Sequence, residues 1–455
     1  MTAWPAAAHV AQQGFVLLLP TDVYITSGIW VVALTAVALA ITPGHIGEKV
    51  FASVRLPRLP MPHWEAATSC LAFLVLCWLL YVGLAGSRDP LANPLPLFVW
   101  TVFWVILVIL QALVDDLWRW INPWSGPARL VLGASDRIPP IRLRGSFGTW
   151  PAIIAILAFS AFALADPAPD DPARLAVFVA LYWLYGFAGM ALFGDDWLKR
   201  GEFISLLMHH FATLSPVRFG RDESRVGLFG WQLLKLEPLT VSGGIFVLII
   251  LGTGSFDGLN ETFWWLALID INPLAFPGRS AIIMETVGGL LVANVLLVVA
   301  FAALVWFGDI LARQFGGSFK PPGYATAFGL LALSILPIAL GYHIAHYLTV
   351  FLVNGQYALA AASDPFATGA DYLGLGTYYV TTGFFNTQDT VRVIFLTQAG
   401  AVVIGHVLAI LAAHAMALRL YGENRPALLS QIPLAGFMIL YTFLGLWLLA
   451  APKGA

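Results

Sequence analysis

The run AIIMETVGGLLVANVLLVVAFAALVWF, residues 281–307, decides the fold class of this sequence. Glu285 is its one charged residue, and nearly all of its other side chains are apolar. The hydrocarbon core of a bilayer is about 30 Å thick, a distance that about 20 residues of helix can cross. The run therefore predicts a membrane-spanning helix.

Apolar windows of this kind, bounded by charged residues, Pro and Gly, recur along all 455 residues. The candidate spans are 27–42, 67–86, 97–114, 150–165, 174–194, 238–255, 281–307, 325–352, 391–417 and 432–450. Charged residues make up only 11% of the chain, against about 25% in soluble proteins. We expect an all-α polytopic integral membrane protein with about ten transmembrane helices.

The Lys and Arg residues predict the orientation of these spans. If the N-terminus is outside, eighteen of the 23 basic residues fall in inner segments and five in outer ones. Basic residues concentrate on the inner side of membrane proteins. We therefore expect both termini to lie outside. With a net charge of −2 and no basic stripe, nucleic-acid binding is excluded.

The predicted spans divide the chain into four parts. These are an outer N-terminal segment 1–26, a five-helix half 27–194, a cytoplasmic or interfacial segment 195–237, and a second five-helix half 238–455 with long outer loops at 256–280 and 353–390. The segment EFISLLMHHFATL, 202–214, is apolar but too short to span, which predicts an inner-surface or re-entrant helix. We expect its adjacent His209 and His210 to lie at the surface.

Two acidic pairs follow spans that run from outside to inside. Asp115 and Asp116 open the sequence DDLWR, and Asp195 and Asp196 open the sequence DDWLK. Each pair lies beside a Trp and a basic residue, a pattern that is typical of an anchor in the headgroup region. A functional acidic pair is the alternative interpretation.

Histidines at membrane depth are the best candidates for chemistry. His343 and His346 share a helix face in GYHIAHY, and His406 lies in the next span. At 1.5 Å per residue, His343 lies about 20 Å below Gln356, and His406 lies about 22 Å below Val391. Because one outer loop joins these spans, we expect antiparallel neighbours and a cluster of all three imidazoles.

Such a cluster has several possible uses. Three neutral imidazoles would suit Zn or Cu, and His343 with His406 alone would suit haem. Two other interpretations of the cluster are polar packing between helices and a proton or substrate relay. Pro337 predicts a kink just inward of His343. Glu285 either reaches an outward-facing site or lies at the interface, and His414 is expected near the inner interface.

Four stretches carry a resemblance to a known family. They are GFVLLLPTDVYITSG (14–28), AGMALFGDDWLKRGEFIS (188–205), GYHIAHYLTVFLVNGQY (341–357) and GHVLAILAAHAMALRLYG (405–422). Their order and spacing resemble bacterial multi-spanning membrane proteins that are labelled fenitrothion hydrolase, or its membrane component. The positions that match the polar motifs of the family are Asp195, Trp197, His343, His346, His406 and His414. Ala415 and Met416 depart from that pattern, where Asp and Arg are expected.

The resemblance implies a bacterial inner-membrane location and hydrolysis of an organophosphate triester, together with exported subunits or lipoproteins at the outer face. A metal-bound water would then attack phosphorus. We expect the membrane component of such an assembly, embedded in the lipid bilayer, with the histidines as its metal or cofactor site. A secondary transporter of a small solute or metal ion and a haem-binding electron-transfer protein are the alternatives.

Overall fold

A computed structural model of the chain describes residue 16 and residues 18–42, 50–57, 64–133, 139–220, 223–376 and 378–453. Most of the expected N-terminal segment 1–26 lies outside the described residues. Within these ranges, ten helices are long and apolar enough to cross a membrane. The expected fold class, a polytopic helical protein, is confirmed at this level, while the side on which the termini lie stays a prediction.

The helices are, in chain order, α1 (Thr21–Ile41), α2 (Glu65–Ala85), α3 (Pro94–Leu113), α4 (Trp118–Ile121), α5 (Ser125–Leu132), α6 (Trp150–Ala165), α7 (Pro172–Phe193), α8 (Asp196–Arg200), α9 (Phe203–Ala212), α10 (Val241–Asn260), α11 (Phe263–Leu268), α12 (Ile283–Phe315), α13 (Tyr324–Ala332), α14 (Leu336–Ser363), α15 (Gln388–Tyr421) and α16 (Asn424–Ala450). The strands are β1 (Ser53–Leu56), β2 (Val217–Arg218) and β3 (Ser224–Gly227), which form a small sheet in the order β1-β3-β2. In α3, residues Phe98–Leu107 are wound as a π-helix.

Side chains at the helix ends explain where several of these helices begin. Asp171 accepts a hydrogen bond from the backbone N–H of Arg174, ahead of Pro172 in the first turn of α7. Thr240 and Thr387 cap α10 and α15 in the same way. Such oxygens satisfy N–H groups that have no partner inside the helix.

The long helices extend further than their apolar windows. Helix α10 continues to Asn260 and α14 continues to Ser363. The outer loops expected at 256–280 and 353–390 are correspondingly shorter, and 256–280 also contains α11. Hydropathy ends a window at the first polar residues, but the helical backbone continues through Asp257 and Asn260. This extension places Asp257 in a helix.

The span that contains the histidines is interrupted. Residues Leu333–Ile335 form a 3-10 turn between α13 and α14, just before Pro337. Proline lacks the N–H that an α-helix needs and crowds the preceding turn. The break agrees with the expected effect of Pro337.

The chain divides into two compact units. The first comprises Met1–Ser53, Gly227–Leu348 and Thr382–Ala455, and the second comprises Val54–Val226 and Thr349–Thr381. In the first unit, α1 packs against α15 and α16, and α12 packs against α10 and α16. Because α1 joins the late helices, the units do not follow the expected halves 27–194 and 238–455.

The second unit buries the short helix α9. Its residues Phe203, Leu207, Met208 and Phe211 are almost fully buried, and the helix packs against α3 and α6. Of the two alternatives expected for 202–214, the inner-surface helix is wrong, because nearly the whole circumference of this helix is apolar and covered by protein. A re-entrant helix stays a prediction. Flanking basic residues alone do not distinguish a surface helix from a buried one.

Candidate functional site

The candidate site lies in the first unit, where the last turn of α10 faces α14. The Nε2 atom of His346 lies 3.0 Å from Oδ2 of Asp257. The hydroxyl of Tyr347 donates a hydrogen bond of 2.6 Å to the same oxygen. The side chains of His346 and Asp257 are only 11% and 16% exposed. Two of the span helices thus enclose a carboxylate–imidazole pair that a phenol holds in place.

This geometry determines where the pair can hold protons. The ionised carboxylate of Asp257 can only accept, so the Nε2 atom of His346 carries a hydrogen. The other ring nitrogen then sets the charge of the pair, which is −1 when Nδ1 is bare and zero when Nδ1 is protonated. The hydrogen bond between His346 and Asp257 is compatible with either state of Nδ1, because it uses Nε2 alone.

Tyr342 covers the pair from the side of α14. Its ring lies nearly parallel to that of His346, with centroids 5.9 Å apart and planes 10° apart. It also packs on α10 at Gly254 and Gly258, where a Cβ on Gly258 would collide with the Tyr342 hydroxyl. Glycine at 258 therefore allows the phenol to lie directly on the helix backbone.

His343, one of the histidines predicted from the sequence, contacts this group indirectly. Its ring meets the ring of Tyr347 edge to face, with centroids 4.8 Å apart. Tyr347 makes a similar contact with His346 at 4.7 Å. The two histidines of GYHIAHY therefore share Tyr347 as a neighbour, as their spacing on one helix face predicts.

His406 is the most buried of the three predicted histidines, with 2% of its surface exposed. Its Nδ1 atom lies 2.8 Å from the carbonyl oxygen of Val402, so Nδ1 is the protonated nitrogen and Nε2 presents a lone pair. Nε2 has no hydrogen-bond partner among the described residues. The ring of Tyr441 lies 6.4 Å away, and its hydroxyl bonds to Ser255 of α10.

Helices α14 and α15 are in close contact, as their sequence order predicts. A Cβ on Gly341 would collide with the carbonyl oxygen of Ala401, and a Cβ on Gly405 would lie 2.6 Å from the carbonyl oxygen of Pro337. The amide of Gln398 also donates to the carbonyl of Ala345 at 2.7 Å. Facing glycines thus set the crossing that brings the two histidine-bearing helices together.

This contact does not assemble the expected metal site. Over the described residues, no group of three or more His, Cys, Asp or Glu side chains is arranged to hold a metal ion. His346 instead pairs with Asp257, and His406 turns Nδ1 to its own helix backbone. The described residues thus do not show a three-His cluster of His343, His346 and His406, and metal binding by the three and cofactor binding by His343 and His406 stay predictions.

The structure also describes the surroundings of two further predicted residues, His414 and Glu285. His414 is buried in the protein, and its Nδ1 lies 3.3 Å from the side-chain amide of Gln431 on α16; its depth near the inner interface stays a prediction. Glu285 is exposed in the first turn of α12. This exposure places Glu285 away from a buried site, and its position at the membrane interface stays a prediction.

The first acidic pair, Asp115 and Asp116, lies in the second unit, where Asp115 binds the backbone at Phe219. Asp115 is buried and accepts the backbone N–H of Phe219 at 3.0 Å, and burial raises the pKa of its carboxyl. Asp116 accepts a hydrogen bond from Gln111 at 2.7 Å. Burial tends to raise the pKa of Asp116, but hydrogen bonding and the charge of His209 outweigh it, so the pKa is lowered. These contacts favour a structural role for the pair.

The second acidic pair is exposed. Asp196 forms ion pairs with Lys199 at 3.6 Å and with Arg200 at 3.2 Å, and Asp195 is also exposed. Trp197, however, is buried against Gly189 and Gly201. The two glycines leave room for the indole inside the unit, so Trp197 packs against protein, and its depth at the headgroup region stays a prediction. Trp118 is buried as well.

The two histidines of α9 separate as their adjacency predicts. His209 is exposed, with its Nδ1 3.7 Å from the carboxylate of Asp116. His210 is 4% exposed, and burial lowers its pKa to about 3. The expectation of surface placement is therefore met by His209 and wrong for His210.

Sequence reasoning missed two buried carboxylates. The hydropathy window places Asp257 in an outer loop, but SFDGLN continues the preceding apolar helix without a Pro. Glu202 is fully buried in the second unit, where it caps α9 by accepting from the N–H groups of Ile204 and Ser205. It also accepts the hydroxyl hydrogen of Tyr182, and burial raises its pKa. The sequence signal for this cap is an acidic residue directly before the apolar segment that forms α9.

Comparisons with models of protein families, with curated proteins and with solved structures give no match to this chain. The resemblance to proteins labelled fenitrothion hydrolase therefore stays a prediction. The geometry of the Asp257–His346 pair is therefore the main evidence on function.

Proposed function

We propose that this chain is a proton-coupled secondary transporter of a small cationic solute or metal ion. The observation that carries the proposal is the Asp257–His346 pair enclosed between α10 and α14. Ionisable side chains inside membrane spans are costly, and those that occur there typically mark ion or substrate routes and proton relays. The hydrogen bond from Tyr347 to Asp257 and the contact between Asp257 and His346 offset that cost, whether or not Nδ1 of His346 carries a proton.

The charge of the pair explains why the solute would be a cation. Release of the proton from His346 leaves the Asp257 carboxylate with a charge of −1 in a region of low dielectric constant, where a second cation is strongly favoured. Proton and solute would then bind alternately. The interrupted span at Leu333–Ile335 supports this proposal, because discontinuous helices line the binding sites of many secondary transporters.

Flux into proteoliposomes tests the proposal. Purified chain is reconstituted with a pH-sensitive dye inside, and gradients of Na⁺, K⁺, Zn²⁺ and small organic ammonium ions are applied in turn. We expect at least one gradient to drive proton movement in wild type. Asp257→Asn, which keeps the size of the side chain and removes its charge, is expected to abolish this movement.

Asp389→Asn is the matched control, because Asp389 is 87% exposed at the start of α15. It should leave proton movement unchanged. Wild-type liposomes that behave like empty liposomes with every cation would refute the proposal, and so would an Asp257→Asn variant with wild-type coupling.

A second candidate function is that of the membrane component in an assembly of exported subunits, as the family resemblance implies. The loop between α14 and α15 favours it, because Tyr372 and Tyr379 are 73% and 80% exposed there. Exposed aromatic side chains are enriched at binding surfaces. Hydrolysis of fenitrothion by cells that express the chain together with candidate exported subunits, and its loss with Tyr372→Ser/Tyr379→Ser, would support this function.

A further inference from the structure

The second unit contains an apolar cavity of about 410 Å³. Helices α2, α3, α6, α7 and α9 contribute to its wall, together with the segment that carries Trp118 and Trp124. Its apolar wall includes Leu76, Phe98, Phe159, Val179 and Ile204. The volume falls within the range of about 300–1,000 Å³ that is usual for small-molecule pockets.

The polar atoms in this wall are already engaged with other protein groups. The hydroxyl of Thr68 donates to the carbonyl of Trp120 at 2.6 Å, and the hydroxyl of Tyr182 donates to Glu202. The indole N–H of Trp118 donates to Ser205 at 2.9 Å.

The indole N–H groups of Trp124 and Trp183 are engaged with protein groups as well. The N–H of Trp124 donates to the carbonyl of Trp183 at 2.9 Å, and the N–H of Trp183 donates to the carbonyl of Pro123 at 3.0 Å. A buried water needs two to four polar partners, and apolar cavities without them stay dry. The cavity therefore suits a hydrocarbon and is unfavourable for water or a polar solute.

The cavity opens on the surface of α2. Leu71 and Val75 line it, yet 61% and 42% of their surfaces are exposed. Val75 lies at the middle of α2 and Leu71 lies one turn nearer its start, and this helix is long and apolar enough to span a membrane. In a bilayer, a mouth at the level of Val75 would therefore open toward acyl chains.

We infer that this cavity binds one hydrocarbon chain of a membrane lipid, which enters beside Leu71 and Val75. The engaged polar wall excludes the headgroup, so the headgroup stays in the bilayer interface and only the tail is bound. This site lies in the second unit and is independent of the Asp257–His346 pair. Its test needs no transport assay.

Photo-crosslinking tests the inference on the full chain in nanodiscs. The probe is a phosphatidylcholine with a diazirine near the end of one acyl chain, and mass spectrometry locates the labelled residues. Wild type is expected to be labelled at lining residues such as Leu76 and Val179 in preference to Leu74, which points outward from α2 with 62% exposure.

Two variants fill the cavity from two of its helices, Ala72→Trp on α2 and Val179→Trp on α7. Each is expected to lower labelling at the remaining lining residues about tenfold, because losing two buried CH₂ contacts weakens binding by about that factor. Leu74→Trp is the matched control and should leave the labelling unchanged. Equal labelling of lining and outward residues in wild type, or wild-type labelling in both filled variants, would overturn the inference.

Discussion

Tyr347 and Asp257 are joined by a hydrogen bond of 2.6 Å that crosses from α14 to α10. Since His346 approaches the same carboxylate oxygen, Tyr347 does more than connect two helices. It stabilises the negative charge that remains on Asp257 when His346 is neutral. The phenol is therefore a positioning residue for the proposed proton site.

Tyr347→Phe removes this donor and keeps the ring contacts with His343 and His346. We expect the free energy of unfolding to fall by about 1.5–3 kcal/mol, as for other hydrogen bonds to charged groups. Unfolding in mixed detergent micelles, followed by tryptophan fluorescence, measures the change. Tyr24→Phe is the control, because the Tyr24 ring packs against Phe395 and also loses one hydroxyl. Equal losses in both variants would contradict the assigned role of Tyr347.

Gly405→Ala should destabilise the contact between α14 and α15. Its Cβ would lie 2.6 Å from the carbonyl oxygen of Pro337, which is backbone and cannot rotate away. We expect a loss of about 1–3 kcal/mol, as for other overpacked sites. Gly400→Ala on the same helix meets no atom within 4 Å and should be neutral or gain up to about 1 kcal/mol from helix propensity. Thermal unfolding in detergent compares the two, and a neutral Gly405→Ala would show that the helices can separate freely.

Hydropathy predicted the number of span helices because each window is long and nearly free of charge. It misplaced helix ends where polar residues continue a helix, as at Asp257 on α10 and at Gln356 on α14. The same error hid the site, since a carboxylate assigned to a loop is not considered as a partner for His346. Periodicity correctly placed His343 and His346 on one helix face.

The sequence alone does not show which side chains of different helices face each other. Equal depth and antiparallel order predicted that His343, His346 and His406 would converge, but depth does not determine rotation about a helix axis. The ring of His406 turns its Nδ1 to Val402 of its own helix. Rotation depends on close packing, here on Gly341 and Gly405, whose significance appears only once their neighbours are known.

Metal analysis and an absorption spectrum test the cofactor prediction directly. Purified wild type is compared with a His343→Ala/His406→Ala variant. The cofactor prediction expects stoichiometric Zn, Cu or haem in wild type, whereas equal, substoichiometric metal and no Soret band in both proteins would contradict it. Stoichiometric metal or haem in wild type that the variant loses would show that the imidazoles do assemble.

Glu202 should make stability depend on pH. Burial raises the pKa of its carboxyl above the ordinary value of 4.5. Above pH 4.5 the unfolded chain has lost this proton while the folded chain still holds it, so the folded state binds more protons and its stability falls as the pH rises. Below that pH both states are protonated, and the contribution is fully present.

Glu202→Gln removes this titration and keeps an oxygen that can cap α9. The unfolding free energy of wild type minus that of the variant is therefore expected to decrease as the pH rises from 4.5. Detergent unfolding at successive pH values measures it. Glu237→Gln is the control, because Glu237 is 87% exposed and its difference from wild type should stay constant. A constant difference for Glu202→Gln as well would mean that the carboxylate is ionised in the folded protein, held by Tyr182 and the helix N–H groups against the cost of burial.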